Sequence, residues 1–177
     1  MVSSMIRDSN RPEAEIQVAK SGPIAQLRIV GRATFKISRP LREFCIPAIQ
    51  GGLKRLILDF SGCQGLDSTF MGTLSQIGLE ARNRCDMVLI NTTPSHRSLL
   101  DGLGILFLFR LVDEAVPEVN WRTLCSAADQ SVEIKDVAGT VLAAHQTLME
   151  VNPDNIPKFK NVVEMMVTEV EQLKKEK

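Results

Sequence analysis

The sequence predicts an α/β domain, a mixed sheet of four to five strands with helices, followed by a C-terminal helical extension. Three observations carry this. The apolar runs LILDF (residues 56–60) and MVLIN (87–91) are short and barely alternate, as strands buried on both faces do. Helical patterns lie between the strands, which calls for crossover connections and a largely parallel arrangement after an antiparallel start. Beyond about Pro117 the strand signal gives way to a helical extension with two long apolar stripes, over Glu133–Val151 and Pro157–Lys175.

Taken in order, residues 1–12 are polar and expected to fray. EIQVA (15–19) and AQLRIV (25–30) read as two strands, and Gly22-Pro23 between them as a hairpin turn. Ser38 is a candidate cap for a helix carrying Leu41, Phe44, Cys45, Ala48 and Ile49 on one side. Pro47 should kink or shorten it, and Gly51-Gly52 should end it. A strand follows over Arg55–Phe60, then a turn-prone SGCQG connection, then a helix from Ser68 through Ala81. After the strand 87–91, Pro94 and Ser95 open a short helix that Gly102 and Gly104 break, and Phe109–Val112 is a last strand or edge. In the extension, Glu133–Val151 and Pro157–Lys175 form a helical hairpin broken at Asn152-Pro153-Asp154. The stripe Phe159, Val162, Val163, Met166, Val167, Val170 and Leu173 must be covered if the last helix is to be stable. The uncovered face of the sheet is its first expected site, and a second copy of the chain the next.

Composition narrows the function. At 177 residues the chain holds one ordinary domain plus an appendage. Its 21 basic and 21 acidic residues cancel, which removes a global electrostatic case for nucleic acid or an anionic membrane. Tyrosine is absent and aromatics are few, so no base-stacking platform is expected. The four cysteines are scattered without a CxxC pair and neither histidine adjoins one, so no metal centre is expected. The N-terminal MVSSMIRDSNRPEAE has no apolar segment of a signal peptide, and no run is long enough to span a membrane; the cytoplasm is the default. There is no Walker loop, GxGxxG or GxSxG, and no cofactor is implied. Ser68, His96 and Asp101 can be drawn as a triad, but a triad is a matter of geometry that spacing does not supply. His145, among alanines in a helical stretch, reads as a packed or surface residue. With no convergent acid, base or metal set, an enzyme is not expected.

The segment RLILDFSGCQGLDSTFMGTLSQIG (55–78) is the most informative. Asp67, Ser68 and Thr69 stand where a strand and loop give way to a helix. Backbone N–H groups lack partners there, and the helix dipole favours negative charge. A negative group added there would be tolerated electrostatically. Asp, Ser and Thr are also the commonest N-cap residues, so capping alone accounts for the triplet.

With these strands and this turn in place, the chain resembles the STAS family, the sulfate transporter and anti-sigma factor antagonist domains. LDFSGCQGLDSTFMGTL is similar to the family's strand, loop and helix start. LILDF and MVLIN are similar to its central strands, and LLDGLGILFLFRLVDE to its closing short helix, leucine-glycine stop and final strand. The resemblance covers residues 13–118 and leaves 119–177 as the helical extension. It implies an anti-sigma factor antagonist-like binding protein, not an enzyme. Ser68 would be phosphorylated by a partner serine kinase of ATP-binding switch fold that is also the anti-sigma factor. Asp67, Thr69, Phe70, Met71 and Gly72 would form the motif surface around it. Gly72 matches the pattern, while Phe70 stands where the family usually has Gly and would alter the partner's contact surface. A homodimer through the C-terminal helices is a further candidate partnership. The alternative is a non-switching STAS scaffold subunit of a signalling or lipid-transport complex, with Ser68 only a cap.

Overall fold

The computed structural model describes residues 13–113, 119–131 and 133–175. The polar segment 1–12 therefore lies outside the described residues. So does most of the stretch across which the expected boundary at residue 118 falls.

Two antiparallel strands, β1 (Glu15–Ser21) and β2 (Ile24–Ala33), open the fold around Gly22, whose φ of +54° suits a residue without a side chain. Helix α1 (Phe35–Gln50), strand β3 (Arg55–Leu66), helix α2 (Ser68–Ala81), strand β4 (Asp86–Ile90), helix α3 (Pro94–Gly102) and strand β5 (Arg110–Val112) follow. With a sixth strand, β6 (Arg122–Ser126), the sheet order is β5-β4-β3-β2-β1-β6, with β2 to β5 parallel. The path from β2 to β4 moves steadily in one direction, so right-handed crossovers put α1 and α2 on the same face. Ile16, Val18, Leu27, Ile29, Leu56 and Leu58 point under them and are fully buried. The alternate residues Gln17, Gln26 and Arg28 face the other way and stay partly exposed.

Five features differ from the sequence reading. Helix α1 begins at Phe35, so Ser38 lies inside it, fully buried, its hydroxyl donating to the Thr34 carbonyl at 3.0 Å; Thr34 is the N-cap. Pro47 does not end the helix, which runs on to Gln50. The SGCQG segment is strand rather than turn. It continues β3 alongside the lengthened β2, with register shifts near Val30 and between Gly31 and Arg32, where Gly62 and Gly65 allow the irregular pairing.

The sixth strand was not anticipated. β6 (Arg122–Ser126) pairs antiparallel with β1, so the segment after residue 118 contributes to the sheet before becoming helical. Only Cys125 of β6 is buried, which left no alternating apolar signal to read.

The extension itself is a helical hairpin, α4 (Ile134–Val151) and α5 (Ile156–Lys175), joined by a 3-10 turn. It does not cover the open sheet face. α4 lies against α2 and reaches α1, where Arg39 pairs with Asp136. The hairpin's turn is anchored on the leucine-glycine stop. Asn155, fully buried, donates through Nδ2 to the carbonyls of Leu103 (2.8 Å) and Leu148 (2.9 Å), and Lys158 Nζ donates to the Gly102 carbonyl at 2.8 Å. α5 buries no side chain fully; Met165 is 67% exposed and Phe159 packs partly against the core.

Candidate functional site around Ser68

The start of α2 is shaped by Asp67. Its extended backbone (φ −97°, ψ 168°) turns the chain from β3 into the helix, and its Oδ1 accepts from the Phe70 N–H at 2.7 Å, the N-cap bond. Oδ2 accepts from the Phe35 N–H at 3.0 Å, so one carboxylate ties together the first turns of α1 and α2. The cap is thus Asp67. Ser68 is the first helical residue, and capping makes no use of its hydroxyl.

That hydroxyl meets a partner from 77 residues away. Ser68 Oγ lies 2.9 Å from His145 Nε2, and His145 Nδ1 lies 2.7 Å from the Val141 carbonyl one turn back on α4. A carbonyl only accepts, so Nδ1 carries the proton. When the ring carries that one proton, Nε2 accepts from the Ser68 hydroxyl. The imidazole is 4% exposed and meets Phe159 of α5 edge-on, ring centroids 4.8 Å apart. Two further contacts continue along α2. Gly72 is so close to α4 that a Cβ there would overlap the Ala144 backbone, and Gln76 Nε2 donates to Thr147 Oγ1 at 3.2 Å. Residues 68, 72 and 76 fall on one stripe of α2 at four-residue spacing.

The motif neighbours divide differently from expectation. Phe70 is fully buried and does not shape a partner surface; it belongs to the central core. Thr69 and Met71 are 6% and 5% exposed, and Gly72 is covered by α4, so none of these offers an open surface in this arrangement. Asp67 and Ser68 are half-buried.

His96 does not join Ser68. Its N–H and Nδ1 close a capping box with Thr93 at the start of α3, and its ring packs on Phe60 at 5.4 Å. Burial lowers its pKa, opposed by a hydrogen bond to the Cys63 backbone. The sequence reading missed His145. A lone helical histidine carries no signal of a distant serine, although the small residues flanking it, Ala143 and Ala144, hinted at close helix packing.

On the opposite face of the sheet lies an open groove of about 880 Å³. Arg28 crosses it, stacked 4.4 Å from the Trp121 ring centre and bonded through Nε to Asp59 Oδ2 at 2.9 Å. Asp59 also accepts from the Ser61 N–H (2.9 Å) and Asn91 Nδ2 (2.8 Å). Burial pushes the Asp59 carboxyl up, but these hydrogen bonds from Asn91, Ser61 and Arg28 outweigh it and hold its pKa below the ordinary carboxylate value.

A model of the STAS domain matches residues 15–118, more than half of the chain. The protein belongs to the STAS domain family. The STAS match takes in β1 to β5 and α1 to α3, and it stops short of β6 and the hairpin. Among solved structures, the chain is similar to the anti-sigma factor antagonist SpoIIAA in its unphosphorylated form, at 21% identity over 56% of this chain and 89% of that one, TM-score 0.47. The Bacillus cell fate determinant SpoIIAA in its phosphorylated form gives 20% identity over 56% and 92%, TM-score 0.46. The protein TM1081 gives 11% identity over 54% and 78%, TM-score 0.48. No curated protein matches the chain. Among the described residues, no helix is long and apolar enough to cross a membrane.

Proposed function

We propose that this STAS domain is an anti-sigma factor antagonist-like binding module of the cytoplasm, switched by phosphorylation of Ser68. The carrying observation is the division of labour at the start of α2. Asp67 supplies the cap, so the Ser68 hydroxyl, at the positive end of the helix, is not committed to capping. Phosphorylation would add about −1.5 to −2 charge there. The helix dipole stabilises that charge within the domain, so the fold is kept while the binding surface changes. The partner is a serine kinase of ATP-binding switch fold that also holds a sigma factor. It binds the unphosphorylated surface and is repelled by the phosphate it installs.

Ser68 and His145 have the spacing of an activated nucleophile and its base. The open groove on the other face of the sheet is lined by neither residue. A non-switching scaffold subunit is the second reading, favoured by the hairpin on α2 and the engagement of Ser68 by His145. Titration of a serine kinase of this class with wild type, Ser68→Ala and Ser68→Asp separates the two. The switch predicts constitutive binding by Ser68→Ala and at least about tenfold weaker binding by Ser68→Asp, as loss of a charge-sensitive contact should give. Equal affinities for all three would leave the scaffold.

A further inference from the structure

We infer that the α4–α5 hairpin is an internal occupant of the Ser68 face of α2, and that a partner reaches Ser68 only when the hairpin is released. The inference deepens the phosphorylation-switch reading and rests on it for its biological meaning. Three contacts along one stripe carry it. Ser68 bonds to His145, Gly72 accepts the close approach of the Ala144 backbone, and Gln76 bonds to Thr147. A macromolecule approaching the Ser68 hydroxyl along this stripe meets α4 first. The imidazole that receives the hydroxyl is itself buried beneath Phe159.

Within the hairpin, α4 is seated on the core through the fully buried Leu148, and α5 is the looser part. α5 contributes no fully buried side chain. Much of the seam is small residues and single polar contacts, and the hairpin's turn is held chiefly by Asn155 and Lys158 on the carbonyls of Leu103 and Gly102. Opening of such a unit costs less than global unfolding. While it is closed, the affinity of any partner of this face is lowered by the fraction of molecules that are open.

The test reads access to position 68 without a kinase, so its outcome does not depend on whether Ser68 accepts phosphate. The full chain carries Ser68→Cys, with Cys85→Ser to remove the half-buried native thiol. Modification of residue 68 by a small aromatic disulfide reagent is timed and located by peptide mass mapping, beside hydrogen exchange. The measurement is repeated over a series of urea concentrations below the unfolding transition, and in Gly72→Ala and Ala144→Leu. These two variants wedge the seam from opposite helices, so one serves if the other fails to fold. Residue 68 should react slowly in the parent, in step with exchange of α4 across the urea series. In whichever variant loosens α4 it should react about tenfold faster or more, while β2 and β3 stay protected. Reaction in the parent at the rate of an unhindered thiol would overturn the inference. So would a slow rate that stays the same when exchange shows α4 released.

Discussion

Asp67 and Ser68 share the first turn of α2 but do different work, and single substitutions should separate them. Asp67→Ala removes the N-cap and the bond to Phe35, and should cost about 1–2 kcal/mol, measured by urea unfolding. Ser68→Ala leaves the cap intact. It strips the buried His145 of its donor and should cost about 1–3 kcal/mol, as an unsatisfied buried acceptor does, with faster exchange in α4 rather than at the helix start. A double substitution with His145→Leu should recover part of that loss, because both polar groups are then gone. Asp59 gives the pH dependence. Its folded pKa is depressed, so its contribution is complete above the ordinary carboxylate value of about 4 and fades as pH falls from there through the lowered value. Stability should therefore drop with acid over that window, and Asp59→Asn should flatten the drop in a pH series of urea melts. At this scale the position of Ser68 was legible, since a hydroxyl follows an acidic residue where α2 starts. The sequence was silent on which residue capped, because Asp, Ser and Thr compete for that role and only geometry chooses.

Helix α2 explains why one face of the site was legible and the other was not. Its apolar side, Met71, Leu74 and Ile77, reads directly as a core stripe. Its other side, Thr69, Gly72, Thr73 and Ser75, looks polar by residue type yet is buried. Thr73 and Ser75 turn their hydroxyls back onto the carbonyls of Thr69 and Met71, so they satisfy themselves within the helix. Periodicity measures hydrophobicity rather than size, so a seam of small residues escapes it. The longer β3 escaped for a related reason, since its second half is glycine-rich and gains its pairing from β2. The leucine-glycine stop was recognised from sequence as a helix breaker. Its part in seating the hairpin depends on Asn152 and Asn155, some fifty residues later. Gly104 has φ +66°, and a Cβ there would overlap the Asn152 side chain. Gly104→Ala should cost about 1–2 kcal/mol from the backbone alone. It should also loosen the turn between α4 and α5, visible as faster exchange at residues 152–158.

At the scale of the whole molecule, the α/β class, the parallel core and the helical hairpin were all readable, because each rests on long patterns of apolar residues. The hairpin's location was not. Its stripes show only that something must cover them, and they are met by α2 and by each other rather than by the sheet. Ending the chain after Asn152 removes Asn155, Lys158 and Phe159 from their contacts. It should cost about 2–4 kcal/mol from the lost hydrogen bonds and apolar cover. The melting temperature should then fall by roughly 4–16 °C, taking about 2–4 °C per kcal/mol for a chain of this size. The account as a whole turns on Ser68 as the residue through which a partner is dismissed. The most direct measurement is phosphopeptide mapping after incubation of the full chain with ATP and a serine kinase of the anti-sigma class. A single phosphate on Ser68, absent from Ser68→Ala, is the predicted result. Phosphate on Thr69, Ser75 or another site while Ser68 stays unmodified would contradict it.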